Sequence, residues 1–221
     1  MKNFQRALKF FLPAIFLITA LISTGCGDAQ DNDTPTRAVK SANFENVYKS
    51  SDTWLVQWYV CGTDLETSHG AASADIQELL EVKLPENVKV LIQTGGANQW
   101  QNDVVSSNAV ERYLFTSNGL ERLAVLNDAD MGNVNTLADF VRFGKENYQA
   151  DHRVFVFWDH GGGSVAGVCL DERTGNLLSL NDLRDAFTAV YEPSADNPPF
   201  EMIGFDACLM ATYDTISSLD G

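Results

Sequence analysis

The pattern that most constrains this chain is an alternation between compact apolar runs and segments of helical spacing. "WLVQWYVC" (54–61), "NVKVLIQTGG" (87–96), "RVFVFWDH" (153–160) and "EMIGFDAC" (201–208) read as strands. Between and after them, "AASADIQELLEV", "NTLADFVRFGKENY", "SLNDLRDAFTAVY" and "LMATYDTISSL" read as helices. In the second of these, Leu137, Phe140, Val141, Gly144 and Tyr148 share a face, and Asn135 is the expected cap. One segment breaks the alternation: "ERYLFTSNGLERL" has a turn signal at Asn118-Gly119 between two semi-apolar arms, the mark of a hairpin. Strands alternating with helices predict an open α/β sheet, mostly parallel, with both faces covered.

The N-terminal quarter has a different texture. Lys2, Arg6 and Lys9 precede an uncharged stretch from Phe10 to Gly25, which leads into "STGC". That is the plan of a secretory signal over residues 1–25. The small residues Thr24 and Gly25 before Cys26 resemble a lipobox, in which the Cys becomes the lipidated first residue of the mature chain. Ser23 stands where Leu is commonest, so an ordinary cleaved signal is the competing reading. With lipidation, the expectation is export and anchoring to the cell envelope, at the outer membrane if the source is didermal, since Gly27 follows the Cys. Residues 26–52 then form a polar tether, and the domain proper starts at residue 53.

Charge and cysteines narrow the classes further. Of 15 basic residues, three lie in the signal, which also carries no acid; 12 basic and 30 acidic residues remain, a formal net charge of −18. Nucleic acid is therefore not expected as a partner. Past Cys26 stand Cys61, Cys169 and Cys208. An odd set in an exported chain allows one disulfide and leaves one free thiol to explain. Cys61 with Cys169 is the conceivable pair, and two buried thiols are the alternative.

The strand "FVFWDHGGGS" ends on His160 beside three glycines, and "MIGFDAC" ends on Cys208, 48 residues later. In open parallel sheets, function gathers at the carboxyl ends of strands. A Cys and a His brought together there form a nucleophile and its base, with the positive end of a following helix expected to favour the thiolate of Cys208. The backbone N–H groups of Gly161 and Cys208 are the candidate donors to an oxyanion. Other chemistries lack their motifs. "HGGGS" has no accompanying G-x-S-x-G, since Ala166 stands where that motif would need Gly after Ser164. H-E-x-x-H, C-x-x-C and the P-loop are also missing, so no metal site is expected from spacing. His69 and His152 are read as structural.

Five blocks over Trp54–Met210, "WLVQWYVCGTDLE", "DMGNVNTLADFVRFGKENY", "FVFWDHGGG", "GVCLDERTGNLLSLNDLRDAF" and "IGFDACLM", resemble the clostripain family of cysteine peptidases, relatives of caspases, gingipains and separases. The resemblance implies a caspase-like sheet, with His160 as base and Cys208 as nucleophile. Asp206 matches an acidic position that lines a pocket for a basic P1 side chain, against a structural role such as capping the next helix. Asp159 would orient the His160 loop. The family prefers Arg at P1, with Lys second, and protein or peptide substrates with basic residues follow as partners, beside the membrane reached through the lipid. Many members self-cleave, and Arg173 is the candidate site. No cofactor is certain; some members need calcium, for which Asp171 and Glu172 are the nearest carboxylates, without a recognisable calcium loop. A caspase-like sheet has six main strands and four are counted here, so residues 53–221 are expected to be the N-terminal portion of the domain. The competing expectation is a form without turnover, or a surface binding module keeping part of the fold.

Overall fold

The computed structural model describes residues 48–192 and 198–220. The signal, Cys26 and nearly all of the tether lie outside these residues. Six strands form one sheet in the order β4-β3-β2-β1-β5-β6. They are β1 (Trp54–Cys61), β2 (Val88–Gly95), β3 (Val110–Thr116), β4 (Gly119–Leu126), β5 (His152–Trp158) and β6 (Met202–Asp206). The pairs β1–β2, β1–β5 and β5–β6 are parallel, and β2–β3 and β3–β4 are antiparallel. The expected mixed α/β sheet is therefore present. Its hairpin turns at Gly119, whose φ of 104° suits a residue without a Cβ.

Helices cover both faces. On one lie α1 (Thr63–His69) and α2 (Ala71–Leu80), and α2 buries Ala72 and Ile76 against Val60, Ile92 and Trp158. On the other lie α3 (Val134–Asn147) and α5 (Leu180–Thr188), while α4 (Gly163–Ala166) and α6 (Tyr213–Leu219) flank the β6 edge. Leu137, Phe140 and Val141 of α3 and Leu183 and Phe187 of α5 close over Leu55, Tyr59, Phe155 and Phe157. Phe155 and Phe157 are fully buried, each worth roughly 1.5–3 kcal/mol of transfer free energy. That anchors β5 between β1 and the edge strand β6 and fixes where its carboxyl end emerges.

Two local expectations are corrected. The cap of α3 is Asn133, whose side chain accepts from the Asn135 N–H; extended backbone at 133 lets its oxygen reach forward to the first open amides. The helix after β6 starts at Tyr213, not at Leu209. Leu209 has a φ of 62°, which a right-handed helix cannot hold, and Thr212 caps α6 by accepting from the Thr215 N–H. Helix α1 was not expected at all, because "TDLETSH" carries no apolar stripe.

The edge strand β6 borders an open apolar groove lined by Val165, Phe205, Leu209, Met210 and Ile216 among others. Val165, Leu209 and Ile216 are 96%, 72% and 67% exposed. No helix among the described residues is long and apolar enough to cross a membrane.

Candidate active site

Strands β1, β5 and β6 are consecutive neighbours and run parallel, so their carboxyl ends form a row. The segments leaving these ends carry Asp64, His160 and Cys208. His160 and Cys208 thus leave adjacent strands at the same edge. The loops that follow are in contact. A Cβ on Gly161 would overlap the carbonyl oxygen of Cys208 and come within 2.9 Å of Met210 Cγ. Gly163, at φ 61°, would set a Cβ 3.0 Å from Leu209 O. The glycines after His160 allow one loop to lie flush on the other, a reason that the sequence alone did not supply. Neither the Gly161 nor the Cys208 N–H donates to another described residue.

Cys208 is exposed and sits in a turn five residues before α6 begins. The expected helix-dipole support for its thiolate is therefore absent. What lies beside it instead is the His160 loop.

Asp159 is the best-buried acid of the site, 3% exposed. Its Oδ1 accepts from Thr63 Oγ1 at 2.7 Å and its Oδ2 from the Leu170 N–H at 2.7 Å. Burial pushes its pKa up to about 6 against those hydrogen bonds. It ties the end of β1 and the segment at 170 to the root of the His160 loop.

One residue later His160 Nε2 meets Asp64 Oδ1 at 2.8 Å. The hydrogen bond with His160 holds the Asp64 carboxyl below the usual range. Sequence reading missed Asp64. The only available signal was its place three residues past the end of a strand.

Asp206 is the register partner of Trp158, so the two side chains project from the same face of the sheet. Trp158 Nε1 donates to Asp75 Oδ2 at 2.7 Å. Burial, and then the charge of Asp75, raise the pKa of Asp206. The surroundings restrict its solvation although it is exposed by surface area. It does not cap α6, a role taken by Thr212.

Arg173 sits in the loop between β5 and α5 with its guanidinium turned inward. Nε and Nη2 contact Asp171 Oδ1 and Oδ2 at 3.3 and 3.2 Å, and Nη2 donates to Ala129 O at 3.1 Å. Asp171, fully buried, also accepts from the Met131 and Arg173 N–H groups. Glu172 Oε2 accepts from Thr67 Oγ1 at 2.6 Å and the Asn98 N–H at 3.0 Å. The carboxylates named for calcium are thus committed to protein donors and do not fit the ion. No group of three or more potential metal ligands occurs among the described residues.

Cys61 and Cys169 are both buried and unbonded, and Cys61 Sγ lies 3.3 Å from Leu170 O. Burial raises both thiol pKa values.

The chain thus sets a thiol and an imidazole past the carboxyl ends of adjacent parallel strands of an α/β sheet. The clostripain family profile matches residues 58–221, and the chain belongs to that family. Clostripain of Hathewaya histolytica is 27% identical over 101 residues, 39% of this chain and 18% of that protein. A secreted C11 cysteine protease from Bacteroides thetaiotaomicron, solved with an irreversible peptide inhibitor, superposes with a TM-score of 0.56 at 20% identity. That match covers 76% of this chain and 46% of that one. The structure titled "iotapain", a secreted C11 cysteine protease from the same organism, gives 0.57 at 13% identity, covering 77% and 50%. The chain spans half or less of the length of these relatives.

Proposed function

We propose that this chain carries the Cys-His dyad of a caspase-like cysteine endopeptidase that cleaves after Arg, and secondarily Lys. The observation that carries the reading is the seating of Gly161 on the Cys208 carbonyl. It brings the base and nucleophile loops of two neighbouring strands together. His160 takes the Cys208 proton, and the sulfur attacks the scissile carbonyl carbon to form a C–S bond. The oxyanion is received by the free N–H groups of Gly161 and Cys208. Imidazolium then protonates the leaving amine as the C–N bond breaks, and water hydrolyses the thioester. Asp206, next to the negative Asp75, favours a cationic side chain at P1. The test is hydrolysis of an Arg-amide reporter by the full-length form and by its Cys208→Ala variant. Loss in the variant supports the assignment, and equal rates sink it.

Self-cleavage after Arg173 requires its guanidinium to leave Asp171 first, so the reading places this cut after local opening of the loop. A protein that stays one chain while it cuts the reporter shows that self-cleavage is not needed. Export and anchoring rest on the lipobox-like "STGC"; Cys26→Ala should release the chain from the membrane fraction.

The second reading is a binding module without turnover, favoured by the exposed apolar side chains of Val165, Leu209 and Ile216 that line the groove. It predicts that Arg-containing peptides bind with the same affinity to wild type and to Cys208→Ala, with no cleavage by either.

A further inference from the structure

We infer that Asp64 is a positioning residue for His160, fixing the ring so that Nδ1 is the nitrogen left to face Cys208. The inference rests on the reading of His160 as the base. Three observations carry it. The strand order β1-β5-β6 sets Asp64, His160 and Cys208 in sequence along one edge, with the histidine in the middle. Asp64 Oδ1 lies 2.8 Å from His160 Nε2, and this pairing commits Nε2. Thr63 and Asp64 each bond the matching member of Asp159-His160, which makes two parallel side-chain rungs between the ends of β1 and β5.

The buried rung, Thr63 to Asp159, holds the two segments together. The outer rung does something else. The side chains of His160 and Asp64 are 49% and 60% exposed, and an ion pair so open to water adds little to folding. Its effect is on the ring: with one nitrogen held by a carboxylate, the imidazole loses rotational freedom about χ2, and the other nitrogen keeps a constant direction. The sequence separation of 96 between the partners explains why the pair could not be read from local sequence.

The test uses the full-length chain with Asp64→Ala, Asp64→Glu, His160→Ala and the Asp64→Ala/His160→Ala double variant. On an Arg-amide reporter, Asp64→Ala should lower kcat about tenfold and leave KM within about twofold, with Asp64→Glu recovering part of the loss. Alkylation of Cys208 by iodoacetamide at neutral pH should slow in Asp64→Ala but be the same in His160→Ala and the double variant. The ring resonances of His160 should move on Asp64→Ala. Resonances that stay in place, or an equal loss from Asp64→Ala in the His160→Ala background, would overturn the inference. If no form hydrolyses the reporter, the peptidase reading fails, while the resonances and the alkylation cycle still decide the role of Asp64.

Discussion

Thr63 Oγ1 donates a 2.7 Å hydrogen bond to Asp159 Oδ1, joining the end of β1 to the root of the His160 loop inside a region closed to water. Asp159→Ala leaves this hydroxyl and the Leu170 N–H without their acceptor. The expected cost is about 1–3 kcal/mol, read as a lower urea midpoint at an unchanged slope.

The same carboxyl predicts a pH dependence. Its folded pKa of about 6 lies above the ordinary 3.8, so the folded state holds the proton more tightly than the unfolded one. Its contribution is fully present below 3.8 and is lost as pH rises through about 6, a change of about 3 kcal/mol at 1.36 kcal/mol per pH unit. Stability measured from pH 4 to 7 should therefore fall less steeply in Asp159→Asn than in wild type.

Gly161 predicts a steric effect. Asp159 and His160 cannot shift freely to admit a methyl group, because the Cys208 carbonyl lies against the Gly161 Cα. Gly161→Ala should cost about 1–3 kcal/mol by overpacking and separate the two loops. Reporter hydrolysis lost at a temperature where circular dichroism still shows folded protein would be the signature.

At the opposite end of the sheet His152 places Nδ1 2.7 Å from Glu201 Oε1 and Nε2 3.2 Å from Asp52 Oδ2. Only the imidazolium can donate to both. The hydrogen bond to Glu201 raises its pKa above 6.5, so the stabilisation is complete below 6.5 and is lost as pH rises through the folded value. His152→Gln should remove that alkaline loss, seen as unfolding midpoints that no longer fall with pH across the same window.

Cysteine reactivity gives a fifth check. Of Cys61, Cys169 and Cys208, only Cys208 should take iodoacetamide in the native protein, since burial both shields the other two and raises their pKa values. Peptide mapping by mass spectrometry after alkylation, with and without denaturant, reads this directly.

Much of the scaffold was legible in the sequence because strand and helix periods are local. "WLVQWYVC" coincides with β1, and the Asn118-Gly119 signal marks the hairpin, since each reflects burial or turn chemistry within a few residues. The same reasoning put His160 and Cys208 on the last residues of apolar strands, and the structure sets each two residues past its strand, which ends at Trp158 and at Asp206. It failed where a short polar segment is held by distant partners. Helix α1 has no apolar stripe of its own, and its Thr63 and Asp64 are held by Asp159 and His160. It failed again at Cys208, where the left-handed backbone of Leu209 delays α6 to Tyr213.

By itself, then, the sequence determined the alternation of strands and helices, the hairpin, and that His160 and Cys208 lie at the carboxyl ends of β5 and β6, because these follow from side-chain period and residue chemistry over short spans. The tertiary structure decided that β1, β5 and β6 lie side by side, that Gly161 rests on Cys208, that Arg173 turns in to the Ala129 carbonyl, and that Asp64 reaches His160. Those relationships depend on strand order and on contacts between residues distant along the chain, for which no local pattern of amino acids carries a signal.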